Sequence, residues 1–124
     1  MKAEEIVRAY LDAMERRDLA AAKSFLAPGF RMTFPGDQQF STLEQLVERS
    51  RKRYRSAKKR YDRYDEFDGG VYCFGTLYGE LVDGTEYSGI RFIDRFTVRD
   101  GKLVDQMVWN DMAEILGAKV TGTK

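Results

Sequence analysis

Phe92-Ile93-Asp94-Arg95-Phe96-Thr97-Val98-Arg99-Asp100-Gly101-Lys102-Leu103-Val104-Asp105-Gln106-Met107-Val108-Trp109-Asn110-Asp111 is the stretch on which the fold turns. Asp100-Gly101 sits at its centre, and both residue types tolerate the left-handed backbone of a tight hairpin turn. The flanks alternate apolar and polar residues, the period of a half-buried strand. The stretch therefore reads as a long β-hairpin, Tyr87 to Val98 and then Leu103 to Asp111. On the first strand Phe92, Asp94, Phe96 and Val98 share one face. Asp94 is out of place there. A carboxylate on an apolar face is costly to bury, so it either sits at an exposed edge or is present for chemistry. On the second strand, strict alternation puts Leu103, Asp105, Met107, Trp109 and Asp111 on one face. Met107 and Trp109 would then wall a pocket with Asp111 at its mouth.

Upstream, Val71 to Leu81 is a further strand, joined through the hairpin signal Asp83-Gly84. Gly69-Gly70 marks a turn, and Tyr61, Tyr64 and Phe67 suggest a strand that begins after Ser56. The N-terminal half is helical. Ile6, Val7, Tyr10, Leu11 and Met14 form one face of a helix from Glu4 to Arg17. Asp18 suits the N-cap of a short helix, Leu19 to Leu26, ended by Pro28-Gly29. Phe30, Met32 and Phe34 alternate as a short strand before Pro35-Gly36-Asp37. Ser41 or Thr42 opens a third helix, with Ser41 and Glu44 spaced as a capping box and Leu43, Leu46 and Val47 inward. Met112 to Leu116 suggests a last helical turn, followed by a loose tail from Lys119. Helices first and a meander after indicate one α+β domain spanning residues 1–124. A curved, mostly antiparallel sheet wrapped over the first helix would make a cone with an apolar interior, the usual form of a small-molecule pocket.

The composition narrows the chemistry. The chain has no histidine and one cysteine, Cys73. Histidine-dependent nucleophiles and bases are therefore excluded, and with them the commonest transition-metal ligand. No metal site is expected. Cys73 lies in an apolar strand pattern and reads as a small buried hydrophobe. The glycines Gly75, Gly79 and Gly89 do not precede helices as phosphate loops do, so they read as bends, and no cofactor is expected. Net charge is +1, giving no global field for nucleic acid or membranes. The basic run from Arg49 to Arg63 is interrupted by Asp62 and followed by Asp65, Glu66 and Asp68, and reads as a solvated face whose charges pair across the sheet or a dimer interface. No apolar run approaches about 18 residues, and no signal-like segment opens the chain, so a cytoplasmic protein is expected.

The motifs Val7-Arg8-Ala9-Tyr10-Leu11-Asp12-Ala13, Arg17-Asp18-Leu19, Phe25-Leu26-Ala27-Pro28, Asp94-Arg95-Phe96 and Asp100-Gly101-Lys102-Leu103 together resemble the NTF2-like superfamily. Within it they resemble the SnoaL-like and ketosteroid-isomerase-like branch. The resemblance implies an α+β cone with three N-terminal helices packed in a curved sheet. It does not imply one activity, because the fold hosts enzymes, binding proteins and assembly modules. In the steroid isomerases, a first-helix tyrosine and a protonated late-strand aspartic acid hold an enolate oxygen while an aspartate after the first strand moves the proton. By position, Tyr10 matches the tyrosine, Asp94 matches the late-strand acid, and Phe34 stands where the base would be.

Tyr10 and Asp94 thus have two readings. They line a ligand pocket as oxyanion donors, with Phe34, Phe92, Phe96, Met107 and Trp109 as its walls and Asp111 as proton acceptor. Alternatively, Tyr10 is core and Asp94 pairs with an arginine such as Arg91 or Arg95, or with a neighbouring tyrosine. Asp111 also has a plain reading, as cap of the turn that follows it. The expected partners are a small apolar molecule with a carbonyl or enol oxygen and a second copy of the chain. Homodimers of this family pair through the outer face of the sheet, here Ile93, Val104 and Val108 among Arg91, Arg95 and Gln106.

Overall fold

The computed structural model describes residues 1–121. In chain order the elements are α1 (Ala3–Glu15), α2 (Leu19–Lys23), β1 (Leu26–Phe34), β2 (Gln38–Phe40), α3 (Leu43–Arg53), β3 (Tyr54–Phe67), β4 (Gly70–Leu81), β5 (Glu86–Arg99), β6 (Lys102–Asn110), α4 (Met112–Leu116) and α5 (Ala118–Thr121). The strands form one six-stranded sheet in the order β2-β1-β6-β5-β4-β3. All neighbours are antiparallel except β1 and β6, which run parallel. The α+β cone expected from the sequence is the fold observed. No helix among the described residues is long and apolar enough to cross a membrane.

The local signals explain the elements. Asp18 Oδ1 accepts the Ala21 N–H at 3.1 Å and starts α2. The capping box of α3 is shifted one residue from the expected one. Thr42 Oγ1 accepts the Gln45 N–H at 3.1 Å, and Gln45 Oε1 accepts the Thr42 N–H at 3.3 Å. The turn Asp100-Gly101 has φ of 53° and 75°, as its composition requires. The β3–β4 turn falls on Asp68-Gly69 (φ 52° and 78°), so Gly70 already belongs to β4.

Three boundaries differ from the sequence reading. Pro28-Gly29 lies inside β1, at an irregularity of the β1–β6 ladder between Leu26 and Arg31, and α2 ends earlier, at Lys23. The three-residue β2 was not anticipated; it is too short to show a period. The tail begins as a short helix through Thr121, with Val120 in the core, and the rest of the expected loose tail lies outside the described residues.

The α1 face Ile6, Val7, Tyr10, Leu11, Ala13 and Met14 is buried against the concave side of the sheet. There the Tyr10 ring meets Phe30 and Phe96 edge-on at 6.1 and 5.8 Å. Wrapping β3 and β4 around α1 needs sharp local bends. The β3–β4 ladder shifts register between Tyr54 and Ser56 and again between Tyr61 and Arg63, and Gly75 and Gly79 of β4 lie beside those irregularities. A Cβ on Gly75 would stand 2.0 Å from the Arg60 carbonyl oxygen, and one on Gly79 2.2 Å from that of Ser56. Gly75→Ala is therefore expected to destabilise the fold by about 2–4 kcal/mol through backbone displacement. Urea unfolding midpoints measure this, and a loss below about 0.5 kcal/mol, the size of an ordinary surface change, would refute the close approach.

Candidate active site

The concave side of the sheet does not close completely on α1. It leaves a cavity of about 460 Å³ lined from α1, β1, β2, α3, the inner faces of β3 to β6, and α4. This lies within the roughly 300–1,000 Å³ of small-molecule sites. Most of the wall is apolar, with Leu11, Met14, Phe34, Phe40, Leu46 and Val108 contributing.

Asp94 is at the bottom of this cavity, fully buried on β5. Its partner is neither of the arginines considered above. Arg91 and Arg95 point to the other face, where Arg91 Nε donates to Asp111 Oδ2 at 2.6 Å and Arg95 Nε donates to Tyr72 Oη at 3.2 Å. Lys59 of β3 reaches Asp94 instead, its Nζ 2.5 Å from Oδ2. The Lys59 side chain is 26% exposed. The same ammonium is 5.1 Å from the Phe92 ring centroid, and the Tyr61 ring packs edge-on to Phe92 at 5.7 Å.

Three buried side-chain oxygens on cavity residues have no hydrogen-bond partner among the described residues: Tyr10 Oη, Asp94 Oδ1 and Gln106 Oε1. Buried polar atoms are normally paired, so three orphans around one cavity are unusual. Burial pushes the Tyr10 phenol well above its ordinary pKa; the Asp94 charge adds to this and Lys59 opposes it. Tyr61 is raised further by burial and by the same carboxylate. Both phenols are therefore neutral donors at physiological pH. Cys73, beside Asp94 on the neighbouring strand, is buried, and its thiol is pushed up to about 12 by burial and by that charge, so it is not a nucleophile.

The residues read from sequence divide in two. Tyr10, Phe34, Phe92 and Asp94 line the cavity together. Phe96 is buried behind Tyr10 and is not on the wall. Met107, Trp109 and Asp111 are not on the wall either. The β5–β6 ladder shifts register between Thr97 and Val98, opposite Leu103 to Asp105, so inward parity on β6 moves by one residue. Gln106, Val108 and Asn110 turn inward, and Trp109 is 50% exposed. Asp111 is held outside by Arg91, and Asn110 Oδ1, not Asp111, accepts the Met112 N–H at 3.0 Å. The same slip corrects the expected outer face: Val108 and Gln106 are buried, while Ile93 and Trp109 are outside. Lys59, Tyr61 and Gln106 were missed. Lys59 and Tyr61 share strand parity, which would have separated Lys59 from the basic run around it. Among the described residues no cluster of three carboxylates or thiols could hold a metal ion.

A family model, the SnoaL-like domain, matches residues 7–106. The chain belongs to this SnoaL-like family of the NTF2-like fold. Solved structures agree on the fold. An NTF2-like protein of unknown function from Burkholderia pseudomallei superposes with a TM-score of 0.83 at 20% identity, covering 95% of this chain and 96% of that one. A putative polyketide cyclase from Xanthomonas campestris gives 0.81 at 21% identity, covering 96% of each. TerC, co-crystallised with polyporic acid, gives 0.79 at 18% identity, covering 90% of this chain and 92% of that one. No curated protein matches the sequence.

In this SnoaL-like domain the Lys59–Asp94 pair should reveal itself in stability. Removing the ammonium leaves a buried carboxylate without compensation, and the partial exposure of Lys59 tempers the loss. Lys59→Met is expected to cost about 2–3 kcal/mol, and Lys59→Met combined with Asp94→Leu to recover most of it, because two apolar groups of similar size leave no charge stranded. A double-mutant cycle in urea tests this; strictly additive losses would show that the two groups do not interact.

Proposed function

We propose that the chain acts on a small apolar molecule with a carbonyl or enol oxygen, moving a proton at the adjacent carbon, as an isomerase or cyclase does. The observation that carries this reading is the set of orphaned oxygens, Tyr10 Oη, Asp94 Oδ1 and Gln106 Oε1, around one apolar cavity that also holds an ion pair. Tyr10 donates to the substrate oxygen. Asp94 Oδ1 takes the proton from the neighbouring carbon, the electron pair moves onto the oxygen, and the enolate so formed is held by the Tyr10 hydroxyl. Lys59 supplies the positive charge that keeps the site neutral on balance before the proton moves. The proton then returns from Asp94 to a carbon of the substrate. These roles differ from the steroid-isomerase pattern. Asp94 becomes the acceptor in place of a neutral donor, Asp111 has no part, and Phe34 is apolar wall. Structural neighbours that include a putative polyketide cyclase are in keeping with a carbonyl substrate.

The test is solvent exchange. Apolar ketones and enols are first screened by thermal shift, and binders are then followed by NMR in D₂O for loss of the proton next to the carbonyl. Catalysed exchange is expected with the wild type. Asp94→Asn should slow it by about 10²–10⁴-fold, the range of a lost general base. Tyr10→Phe should slow it by roughly 10²-fold, as for a lost oxyanion donor. Binding without any catalysed exchange would replace the enzyme with a ligand carrier.

We further propose a homodimer through the outer face of the sheet. Phe74, Ile93 and Trp109 lie directly opposite one another on β4, β5 and β6, forming an outward apolar row. Ile93 is 37% exposed. Light scattering behind a sizing column should give twice the chain mass, and Trp109→Lys should give one chain mass. A monomeric wild type at tens of micromolar would end this proposal.

A further inference from the structure

Arg49 and Arg53 of α3 also line the cavity, one helical turn apart and half-buried. Of their neighbours in the basic run, Arg51 pairs with Glu48, Arg55 with Glu80 and Arg63 with Asp65, while Lys52 and Arg60 are exposed, outside the cavity wall, and have no carboxylate partner among the described residues. Among the described residues neither Arg49 nor Arg53 has a carboxylate partner. Among the described residues the Arg49 guanidinium has the Phe40 ring, 5.8 Å away, and a weak favourable interaction with Tyr54. Burial, together with the charge of Arg53, draws Arg49 below the ordinary arginine pKa. Two like charges thus converge on a mostly apolar cavity, an arrangement that each makes less favourable for the other. The other charges on this wall do not relieve it. Arg17 Nη1 donates to the Met14 carbonyl at 2.7 Å, at the C-terminal end of α1. Glu15 lies 3.8 Å from Lys58, and Asp94 is taken by Lys59.

We propose that the ligand carries a planar two-oxygen anion, a carboxylate or the ionised enol of a 1,3-dicarbonyl, held by Arg49 and Arg53. This rests on the cavity reading above and narrows it. The planar guanidinium fork fits two oxygens at once, which a lysine would not. It also divides the labour in the cavity. The uncompensated cations of α3 bind the anion and fix the orientation of the ligand, while the compensated pair on β3 and β5 faces its neutral carbonyl end. The apolar walls between them select a flat hydrophobic body.

The experiment compares anthraquinone-2-carboxylate with its methyl ester by calorimetric titration of the full chain. The ester lacks the charge and adds one methyl group, and both carry ring carbonyls. The acid is expected to bind the wild type at least about ten-fold more tightly, the effect of one charge-assisted hydrogen bond. The ratio should fall to near one in Arg49→Gln/Arg53→Gln. Equal binding of acid and ester by the wild type overturns the proposal without need of any variant. So does a preference that survives in the folded double variant, because some other cation would then hold the anion. If neither compound binds the folded wild type, the cavity reading itself falls and takes this proposal with it.

Discussion

The bend of the sheet at β3 and β4 is the constraint on which the rest depends. A flat sheet would lie against one side of α1 and leave no enclosed space. Here Gly75 and Gly79 let β4 approach the Arg60 and Ser56 carbonyls more closely than any side chain permits. The two register shifts of β3 fall at the same places. The inner face of β3 is thereby brought round so that it faces β5 across the concavity. Lys59 and Asp94 are two strands apart, roughly 10 Å by strand spacing alone, yet their charged atoms meet. On β4 between them, Cys73 lies opposite Asp94 and Leu77 opposite Lys59, with Gly75, which has no side chain, midway along the diagonal. The ion pair is a consequence of the curvature, and so is the cavity above it.

An ion pair in that position is a poor way to stabilise a fold. Taking both charges from water costs several kcal/mol each, and a well-packed apolar pair often does as well or better. Elsewhere the chain behaves as that rule expects. Among the described residues its other ion pairs are at least partly exposed on both sides, among them Arg8–Glu4, Arg16–Asp12 and Arg91–Asp111. Among the described residues only Asp94 has a fully buried carboxylate, and one of its oxygens is left without a partner. The economical explanation is that the free oxygen is there to meet something that enters the cavity, with Lys59 offsetting its charge in the meantime.

How much of this was legible in the sequence depended on whether the backbone kept its period. On α1 and β5 it did, so spacing put Tyr10, Phe92 and Asp94 on inward faces, and the family resemblance put Tyr10 and Asp94 together in a pocket; the same spacing also put Phe96 inward, which is buried but not on the wall. The hairpin turns were legible because Asp-Gly pairs carry their own backbone preference. On β6 the period broke. Bulges depend on pairing with the neighbouring strand, and nothing in Leu103-Val104-Asp105-Gln106 announces one, so Met107, Trp109 and Asp111 were assigned to the wrong face. Lys59 was hidden differently. It sits in a run of lysines and arginines in which local composition says surface, and only tertiary curvature turns one of them inward. Arg49 and Arg53 were concealed by the same run. Their spacing of four is that of an ordinary exposed helix face, and it is the position of α3 over the open side of the cone that makes them part of the wall.

The slip on β6 links the two surfaces of the sheet. One residue of offset carries Gln106, Val108 and Asn110 to the inside and Trp109 to the outside. Without it, Trp109 would fill the space beneath α1, and the cavity would be occupied by its indole. The cavity would also lose the Gln106 carboxamide, one of its three orphaned acceptors and donors. On the outside, the same offset ends the apolar row Phe74, Ile93, Trp109 on an indole, where a regular strand would have placed the smaller Val108. A single local irregularity therefore opens the pocket and builds the face through which a second copy would pack. Any change that restores the regular period, such as deletion of Val104, should alter ligand binding and self-association together, because both follow from which way the far half of β6 faces.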